Sequence, residues 1–228
     1  MCGFAAPRAA RDQLSAVLRP SAWYSLPPAG VHSALRAAAR ALTVIGSSLP
    51  ERIASHPVVL RAFAFTDAPR VTELCGDWEV ARMTGLIPHP YLPEMAESFI
   101  AGCHRAATDG PRTFAITRAD DGLLVGAIGL ATSPDATDSL GYWVGRPYWG
   151  LGYATAAARA VIALAFSHLD VDTLHAIHLA RNPASGRVMA KCGMSELRRE
   201  MRPHRGGPAE EFFVWSIGRD AWERATGA

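Results

Sequence analysis

The residues of this chain best suited to chemistry lie between Gly141 and Met194. A Gly-x-Gly turn at Gly150 and Gly152 follows a short apolar run that ends at Val144, and it precedes an Ala-rich segment that predicts a helix over residues 153–169. The first backbone N–H groups of a helix have no intrahelical partner, and that end of the helix dipole is positive. A strand that leads through glycines into a helix is therefore suited to binding an anion such as a pyrophosphate.

Two better-known phosphate-binding motifs do not fit this turn. A Walker loop places a lysine and then a serine or threonine after its last glycine, whereas Tyr153, Ala154 and Thr155 follow Gly152. A dinucleotide fingerprint needs a third small residue and an acidic residue about 20 positions further on, where residues 176–178 contain no acid. We therefore expect no nucleotide hydrolysis, although a bare Gly-x-Gly is also common in purely structural turns.

A longer set of motifs surrounds the turn. The run Tyr148-Trp149-Gly150-Leu151-Gly152-Tyr153-Ala154-Thr155 is followed by Asn182-Pro-Ala-Ser185, Arg187-Val188 and Lys191-Cys-Gly-Met194. Together these motifs closely resemble the acyl-CoA site of the GCN5-related N-acetyltransferases (the GNAT superfamily). Within that superfamily they resemble the RimJ- and RimL-like branch, which contains the ribosomal-protein N-terminal acetyltransferases. One departure is Pro147, at a position that is often Gln or Arg in the superfamily.

The resemblance extends over about residues 57 to 224. Val59-Leu60-Arg61 and Asp67-Ala68 look like the first strand and first helix start of that branch, and residues 77–81 and 89–91 look like its substrate-side helix pair. The resemblance implies an α+β fold. In that fold a mixed, mostly antiparallel, twisted sheet carries helices on both faces, and its central strands splay apart.

The resemblance also implies acetyl-CoA as co-substrate, no metal, and direct attack of an amine on the acetyl thioester in a ternary complex. The pantetheine arm would contact backbone groups of Trp143, Val144 and Gly145, and the Val144 N–H would contact the oxyanion. Residues 150–155 would hold the pyrophosphate, and Asn182 would bond the arm, although Asn182 is equally suited to cap a helix. The implied acyl-CoA contacts are Trp143, Val144, Gly145, Trp149, Gly150, Leu151, Gly152, Tyr153, Ala154, Thr155, Asn182 and Ser185.

The general acid and base stay open at this point. Many members of the superfamily carry a tyrosine, the proton donor to the thiolate, where Met189 stands here, so Ser185 or a water would take that role. A glutamate often found before the glycine turn would align with Ser139, which leaves Asp138 beside it as a weak substitute. His178 is the other candidate base, because an ordinary histidine pKa of about 6.5 suits proton transfer near neutrality. A histidine on an apolar strand is, however, more often a packed residue.

The acceptor side offers fewer clues. If the helix-pair resemblance holds, an acceptor groove is lined by Trp78, Met83, Leu86, His89, Pro90 and Tyr91. The alternative is that Trp78 and Met83 belong to the core and that His89-Pro90 is a surface turn. No acidic cluster indicates a polyamine or an aminoglycoside, so a protein N-terminus or a small primary amine is open as the acceptor.

Composition agrees with an enzyme of this kind. The chain has 228 residues, 49% hydrophobic and 19% charged, which is enough for one domain with an appendage. A formal net charge of +2 with scattered basic residues gives no case for nucleic acid. The four cysteines lack paired or metal-ligand spacing, which favours reduced thiols and a cytoplasmic location. No apolar run reaches the ~20 residues of a membrane span, and the oligomeric state is not predicted.

The chain divides near Pro57. Residues 1–56 form an Ala/Arg-rich N-terminal extension, predicted as partly helical (residues 31–45) or disordered, and residues 57–228 form the acetyltransferase domain. Within the domain, period and turn signals predict strands at 58–65, 112–118, 123–131, 139–144, 174–180, 196–202 and 210–217. Helices are predicted at 68–76, 79–83, 93–107, 153–169, from Asn182 onward and at 219–224.

Two other classes of protein fit the same residues. The missing tyrosine and glutamate would also suit a catalytically silent protein that binds acyl-CoA as a sensor. The glycine turn alone would suit a different nucleotide-binding α/β protein.

Overall fold

The computed structural model describes residues 49–106, 112–130 and 140–227. These residues form eight strands: β1 (Arg52–Ser55), β2 (Val58–Arg61), β3 (Arg112–Arg118), β4 (Leu124–Leu130), β5 (Leu140–Val144), β6 (Thr173–Leu179), β7 (Ser195–Pro203) and β8 (Ala209–Gly218). The helices are α1 (Ala68–Cys75), α2 (Trp78–Ala81), α3 (Pro93–Ala106), α4 (Tyr153–His168), α5 (Pro183–Lys191) and α6 (Arg219–Thr226). Short 3-10 turns cover Phe65–Asp67 and Arg146–Tyr148.

The eight strands form one mixed sheet in the order β1-β2-β3-β4-β5-β6-β8-β7. Every neighbouring pair is antiparallel except β5 and β6, which run parallel. These two strands are paired at one register position only, Leu140 with Ala176. Beyond it they part, so a gap opens in the middle of the sheet towards Val144, next to the start of α4.

Each face of the sheet carries an apolar core. On one face, α4 and α5 pack on the strands through residues such as Val161 and Met189, together with Leu140 and Val144 of β5. On the other face, α1, α2 and α3 pack in a second core that includes Trp143. Because successive strand residues point to opposite faces, the neighbours Trp143 and Val144 lie in different cores.

Helix α4 is Ala-rich because it lies close against the sheet. Ala157, Ala158 and Ala165 are buried in the first core, and small side chains let a helix backbone approach the strands. The start of the helix is also tied to the hairpin of β1 and β2, since Ser55 Oγ donates to Ala156 O at 3.1 Å. Within the described ranges, no helix combines the length and the apolar character that crossing a bilayer requires.

The predicted fold class is confirmed: the sheet is mixed and mostly antiparallel, with helices on both faces and parted central strands. Most predicted elements match the observed ones to within a few residues. The predicted strand at 58–65 is shorter, because it ends at Arg61. Asp67 ends it there by accepting hydrogen bonds from the Arg61 guanidinium at 2.7 and 2.8 Å and from the Ala64 N–H at 2.8 Å, which bends the chain into a 3-10 turn.

The first strand of the sheet lies inside the range 1–56 that the sequence assigns to an extension. β1 pairs with β2 in antiparallel register, with Ile53 opposite Leu60 and Ala54 opposite Val59. The sheet therefore begins at Arg52, a few residues before the predicted boundary at Pro57. The predicted helix at 31–45 lies outside the described residues.

Candidate functional site

The Gly-x-Gly turn before α4 has left-handed backbone at both glycines, with φ of +79° at Gly150 and +83° at Gly152. Only glycine adopts this conformation without strain. A Cβ at either position would meet no protein atom within 4 Å. Backbone conformation is thus the reason for glycine here, and the space beside the turn is open to a ligand.

The first turn of α4 offers free hydrogen-bond donors. The first intrahelical bond runs from Ala156 N to Gly152 O at 3.0 Å, and no side chain caps the helix. The N–H groups of Tyr153, Ala154 and Thr155 consequently have no acceptor within the helix. Together with the positive end of the helix dipole, they form a site for an anion.

Strand β5 presents backbone groups to the gap at every second residue. Gly145 N donates to Val125 O at 2.8 Å, and the antiparallel ladder with β4 alternates from there. The backbone groups of Tyr142 and Val144 therefore face away from β4, towards the gap. The Val144 carbonyl accepts a hydrogen bond from the Trp149 indole at 2.6 Å, which leaves the Val144 N–H directed into the gap.

Two residues predicted to contact the pantetheine arm, Trp143 and Gly145, direct their backbone groups to other parts of the protein instead of to the gap. Trp143 is 3% exposed in the second core, and the same alternation turns its backbone groups towards β4. Gly145 uses its N–H on Val125 and its carbonyl on the N–H of Tyr148 at 2.9 Å. A Cβ at Gly145 would lie 2.6 Å from Leu74 Cδ2, so close packing accounts for this glycine.

Ser185 lies in the first turn of α5 and meets a tyrosine that the sequence analysis did not single out. The Tyr142 hydroxyl oxygen lies 2.7 Å from Ser185 Oγ and 3.1 Å from Ser185 O. This contact joins β5 to α5 across the gap. Alternation along β5 was the available signal, since it places Tyr142 on the same face as Val144.

Asn182 occupies the N-cap of α5. Its Oδ1 accepts from Ser185 N at 3.3 Å, and its Nδ2 donates to Met83 O at 3.5 Å. The structural alternative for Asn182 is thus realised. The side chain links the start of α5 to the chain that follows α2.

His178 is sealed inside the protein. It is 5% exposed and lies between the rings of Phe213, at 5.1 Å, and Trp215, at 6.1 Å. Its Nδ1 lies 2.8 Å from Leu179 O and must donate to that carbonyl, so the unprotonated nitrogen is Nε2. Nε2 has no hydrogen-bond partner among the described residues, and it faces Gly186, where a Cβ would lie 2.8 Å away. Burial lowers the pKa of His178 and keeps the ring neutral.

The predicted acceptor residues divide into two groups. Trp78 is 47% exposed, and its ring lies 5.1 Å from that of the exposed His89. Tyr91, by contrast, packs against the second core, and burial raises the pKa of its hydroxyl. Met83 is half-buried, and its carbonyl accepts the hydrogen bond from Asn182.

The candidate base Asp138 lies outside the described residues.

Arginine side chains hold α2 and the following segment over the ends of β5 and β6. Arg205, in the β7–β8 turn, donates to Ala81 O at 3.1 Å and to Ile87 O at 2.5 Å. Arg181, after β6, donates to Arg82 O at 2.8 Å. Arg146 follows the end of β5, and its Nη1 lies 3.9 Å from Asp77 Oδ2, just before α2. These contacts place the Trp78 surface next to the gap.

A cleft of about 340 Å³ adjoins the glycine turn at Gly152 and is bordered by the β1–β2 hairpin and α4. Its lining residues are Ser55, His56, Pro57, Gly152, Thr155, Ala156, Arg159 and Lys191. Arg159 is held in place by a 2.8 Å bond to Lys191 O. In the described part of the chain, neither the Arg159 nor the Lys191 side chain has a carboxylate partner, so the cleft is cationic. In the same part of the chain, no three His, Cys, Asp or Glu side chains form a group able to hold a metal ion.

Comparison with known proteins assigns this site a family. Residues 58–195, more than half of the chain, match the family described as "Acetyltransferase (GNAT) domain". A curated relative, the FsC-acetyl coenzyme A-N(2)-transacetylase of Aspergillus fumigatus, is 33% identical over 87 residues. That match covers 37% of this chain and 37% of the relative, so the chain spans well under half the length of the curated relative it matches.

Solved structures share the fold at low identity. Mycobacterium smegmatis RimJ in complex with CoA-disulfide is 20% identical, with a TM-score of 0.62 over 75% of this chain and 89% of that one. The microcin C7 self-immunity acetyltransferase MccE, in complex with acetyl-CoA and AMP, is 15% identical, with a TM-score of 0.65 over 75% of this chain and 98% of that one. Likeness at this identity speaks for the fold alone.

Proposed function

Because this chain belongs to the GNAT acetyltransferase family, we propose that it transfers an acetyl group from acetyl-CoA to a primary amine by direct attack in a ternary complex. The observation that carries the proposal is the position of the gap. The strands part where the free N–H groups of α4 begin, so an anion and an extended arm can be held side by side.

The residues around the gap fit acetyl-CoA. The open turn at Gly150 and Gly152 and the free N–H groups of Tyr153 to Thr155 would hold the diphosphate. The arm would lie in the gap against the outward backbone groups of β5. The Val144 N–H would then donate to the oxygen that gains charge when the amine attacks the thioester carbon.

The cationic cleft extends the anion site. Acetyl-CoA carries a phosphate monoester on its ribose in addition to the diphosphate. Arg159 lies one to two turns along α4, and Lys191 lies at the end of α5. Among the described residues, neither side chain has a carboxylate partner. We assign the monoester to this cleft, where two cations would offset its charge.

Proton handling is assigned to Ser185 and to water. Ser185, half-buried at the gap, would donate to the sulfur that leaves. The amine would lose its proton to water rather than to His178, because the free Nε2 of His178 faces Gly186 inside the protein. We keep Asp138 as a candidate base, on its position in the sequence alone.

The acceptor would bind over Trp78 and His89, next to Met83, with Tyr91 shaping the groove from the core. A protein N-terminus is one candidate acceptor, because the motifs resemble the ribosomal-protein branch and a RimJ structure shares the fold. A small primary amine is the other. The cysteines within the described ranges, Cys75, Cys103 and Cys192, are free and suit the cytoplasmic location we propose.

An acceptor screen tests the proposal. The protein is incubated with acetyl-CoA and a panel of peptide N-termini and small amines; free thiol release is followed and products are identified by mass spectrometry. We expect amine-dependent thiol release and a mass gain of one acetyl group on the acceptor. Binding of acetyl-CoA in calorimetry without thiol release from any amine would instead identify the acyl-CoA sensor, and binding of nucleotides alone would identify a nucleotide-binding protein.

A further inference from the structure

We propose that Tyr142 is a positioning residue that orients the Ser185 hydroxyl towards the sulfur leaving the thioester. This inference rests on the proposed acetyl transfer. It adds a residue from β5 to a role that the sequence placed on α5 alone.

The geometry of the pair is specific. The Tyr142 and Ser185 hydroxyl oxygens are 2.7 Å apart, and the two residues are 43 positions apart in sequence. Tyr142 leaves β5 on the same face as Val144, whose N–H points into the gap. Ser185 faces it from α5, and its own N–H is directed to Asn182. On the face of the sheet that carries α4 and α5, the hydroxyl pair therefore links the two elements that border the gap, β5 and the helix that follows β6.

Hydrogen counting decides what the pair can do. Each hydroxyl has one hydrogen. If the phenol donates to Ser185 Oγ, the serine hydrogen is free to point at a third atom in the gap. A phenol that donated only to Ser185 O, at 3.1 Å, would direct the serine hydrogen back to the phenol oxygen. We assign the phenol hydrogen to the shorter contact, 2.7 Å to Ser185 Oγ, which leaves the serine hydrogen free. Burial raises the pKa of Tyr142, so the phenol stays protonated and serves as a donor near neutral pH.

The chemical step balances without an added reagent. The neutral amine forms the N–C bond, the C–S bond breaks with its electron pair going to sulfur, and the nitrogen gives its extra proton to water. A thiol has an ordinary pKa of about 8.5, so the thiolate is a fair leaving group that needs a hydrogen bond rather than a full proton transfer. Ser185 supplies that bond, and Tyr142 fixes the direction of the Ser185 hydrogen.

The position of Met189 explains why a phenol from β5 is needed. Many members of the superfamily carry a tyrosine donor on the helix equivalent to α5, whereas Met189 stands at that position here and is 2% exposed in the first core. Tyr142 reaches the same helix from the opposite side of the gap. The serine thereby becomes the group nearest the sulfur, with the phenol behind it.

Four variants test the assignment, compared with the unsubstituted protein on the best acceptor from the screen. Tyr142→Phe keeps the ring and removes the hydroxyl, and Ser185→Ala removes its partner. We expect each to lower kcat by about tenfold, with the acetyl-CoA Kd within about twofold, and the double variant to be no slower than Ser185→Ala. Ser185→Thr, which keeps the hydroxyl, should retain most of the rate. Thr117→Val, on β3, removes a buried hydroxyl bond to Val59 O on β2, and it controls for lost stability.

Two further measurements separate orientation from simple packing. In the ligand-free protein, the losses in unfolding free energy from Tyr142→Phe and Ser185→Ala should not add, because both remove the same bond. With the selenoester analogue of acetyl-CoA, whose selenol is a better leaving group, the rate defect of Tyr142→Phe should shrink towards one.

Each other outcome overturns the inference. Additive stability losses would mean that the bond does not exist in solution. An equal defect with thioester and selenoester, or a kcat for Tyr142→Phe within about twofold of the unsubstituted protein, would remove Tyr142 from the leaving-group step. If the unsubstituted protein binds acetyl-CoA but acetylates no amine, the proposed function fails and the inference fails with it.

Discussion

The two sides of the gap are built in different ways. On the acyl-donor side, the glycine turn and the first turn of α4 present backbone N–H groups from one short stretch of chain, residues 150–155. On the proposed acceptor side, the surface around Trp78 is held by side chains from distant segments. Arg205 reaches Ala81 across 124 positions, and Arg181 reaches Arg82 across 99.

This difference separates what a family shares from what one member recognises. Backbone donors bind a diphosphate whatever the neighbouring side chains are, so a short motif is enough to identify the donor side. The shape of the proposed acceptor side depends on hydrogen bonds that arginine side chains donate to main-chain carbonyls of distant segments. We therefore expect acceptor specificity to depend on long-range contacts such as these.

The largest expected effect breaks the donor side. Gly152→Asp places a carboxylate beside the free N–H groups of α4 and forces a side chain into left-handed backbone at φ +83°. In the unsubstituted protein, acetyl-CoA at 100 times its Kd should stabilise the fold by about 2.7 kcal/mol. We expect this stabilisation, measured as a rise in Tm, to disappear in the variant.

A matched control separates backbone strain from ligand loss. Gly122 also has left-handed backbone, at φ +74°, and open space for a Cβ, but it lies in the β3–β4 turn. Gly122→Asp should lower Tm as Gly152→Asp does and keep the full response to acetyl-CoA. An undiminished response in Gly152→Asp would remove the diphosphate from this turn.

The next effect belongs to the acceptor side. Arg205→Ala leaves the carbonyls of Ala81 and Ile87 without their donor and removes the guanidinium lying 5.5 Å from the Trp78 ring. Losing two bonds of about 1 kcal/mol each corresponds to roughly a tenfold or larger rise in the acceptor KM. The acetyl-CoA Kd should stay unchanged in calorimetry. Arg198→Ala is the control, because Arg198 pairs only locally with Glu200 on the same hairpin; an equal rise there would show that the arginine bridge is not specific.

A smaller effect is expected at His178, which lies behind α5. His178→Gln should lower Tm, because the ring fills space between Phe213 and Trp215, but kcat/KM should change by less than about threefold. The pH profile of kcat/KM decides whether His178 is a packing residue or the general base. A loss of about 100-fold with a flattened acidic limb would make His178 the general base after all.

The smallest effect concerns the pH dependence of stability near the β7–β8 turn. Burial, aided by Arg181 and Arg205, lowers the pKa of His204 to about 4, although Glu210 lies 3.9 Å away. An unfolded histidine has a pKa of about 6.5, so between these values the unfolded chain binds more protons. The contribution of His204 is complete above pH 6.5 and is lost as the pH falls towards 4. Thermal unfolding of His204→Gln should therefore show a shallower fall of Tm over that range, and an identical slope would contradict the assignment.

The same contrast shows how far sequence alone reaches. Helix α4 was predicted within one residue, because its Ala-rich stretch follows the glycine turn directly. The gap between β5 and β6 followed from a family resemblance, since no local pattern encodes it. Tyr142 and Arg205 were not predicted, because their partners lie 43 and 124 positions away and only the fold brings them together. Trp143 and Gly145 were assigned to the arm because strand direction alone does not say which residues face a gap.

The short strand β1 has a consequence for the resistance of this protein to aggregation. β2 is fully buried from Val58 to Leu60, and without β1 its unpaired N–H and C=O groups would form an apolar sheet edge. Exposed edges of that kind pair with other chains and lead to aggregation. β1 covers this edge, and it begins with the exposed Arg52, a charged side chain of the kind that disfavours pairing of an edge strand with another chain. A shortened chain that begins at Leu49 should therefore stay dispersed at high concentration, whereas one that begins at Val58 should precipitate even where its active-site residues are intact.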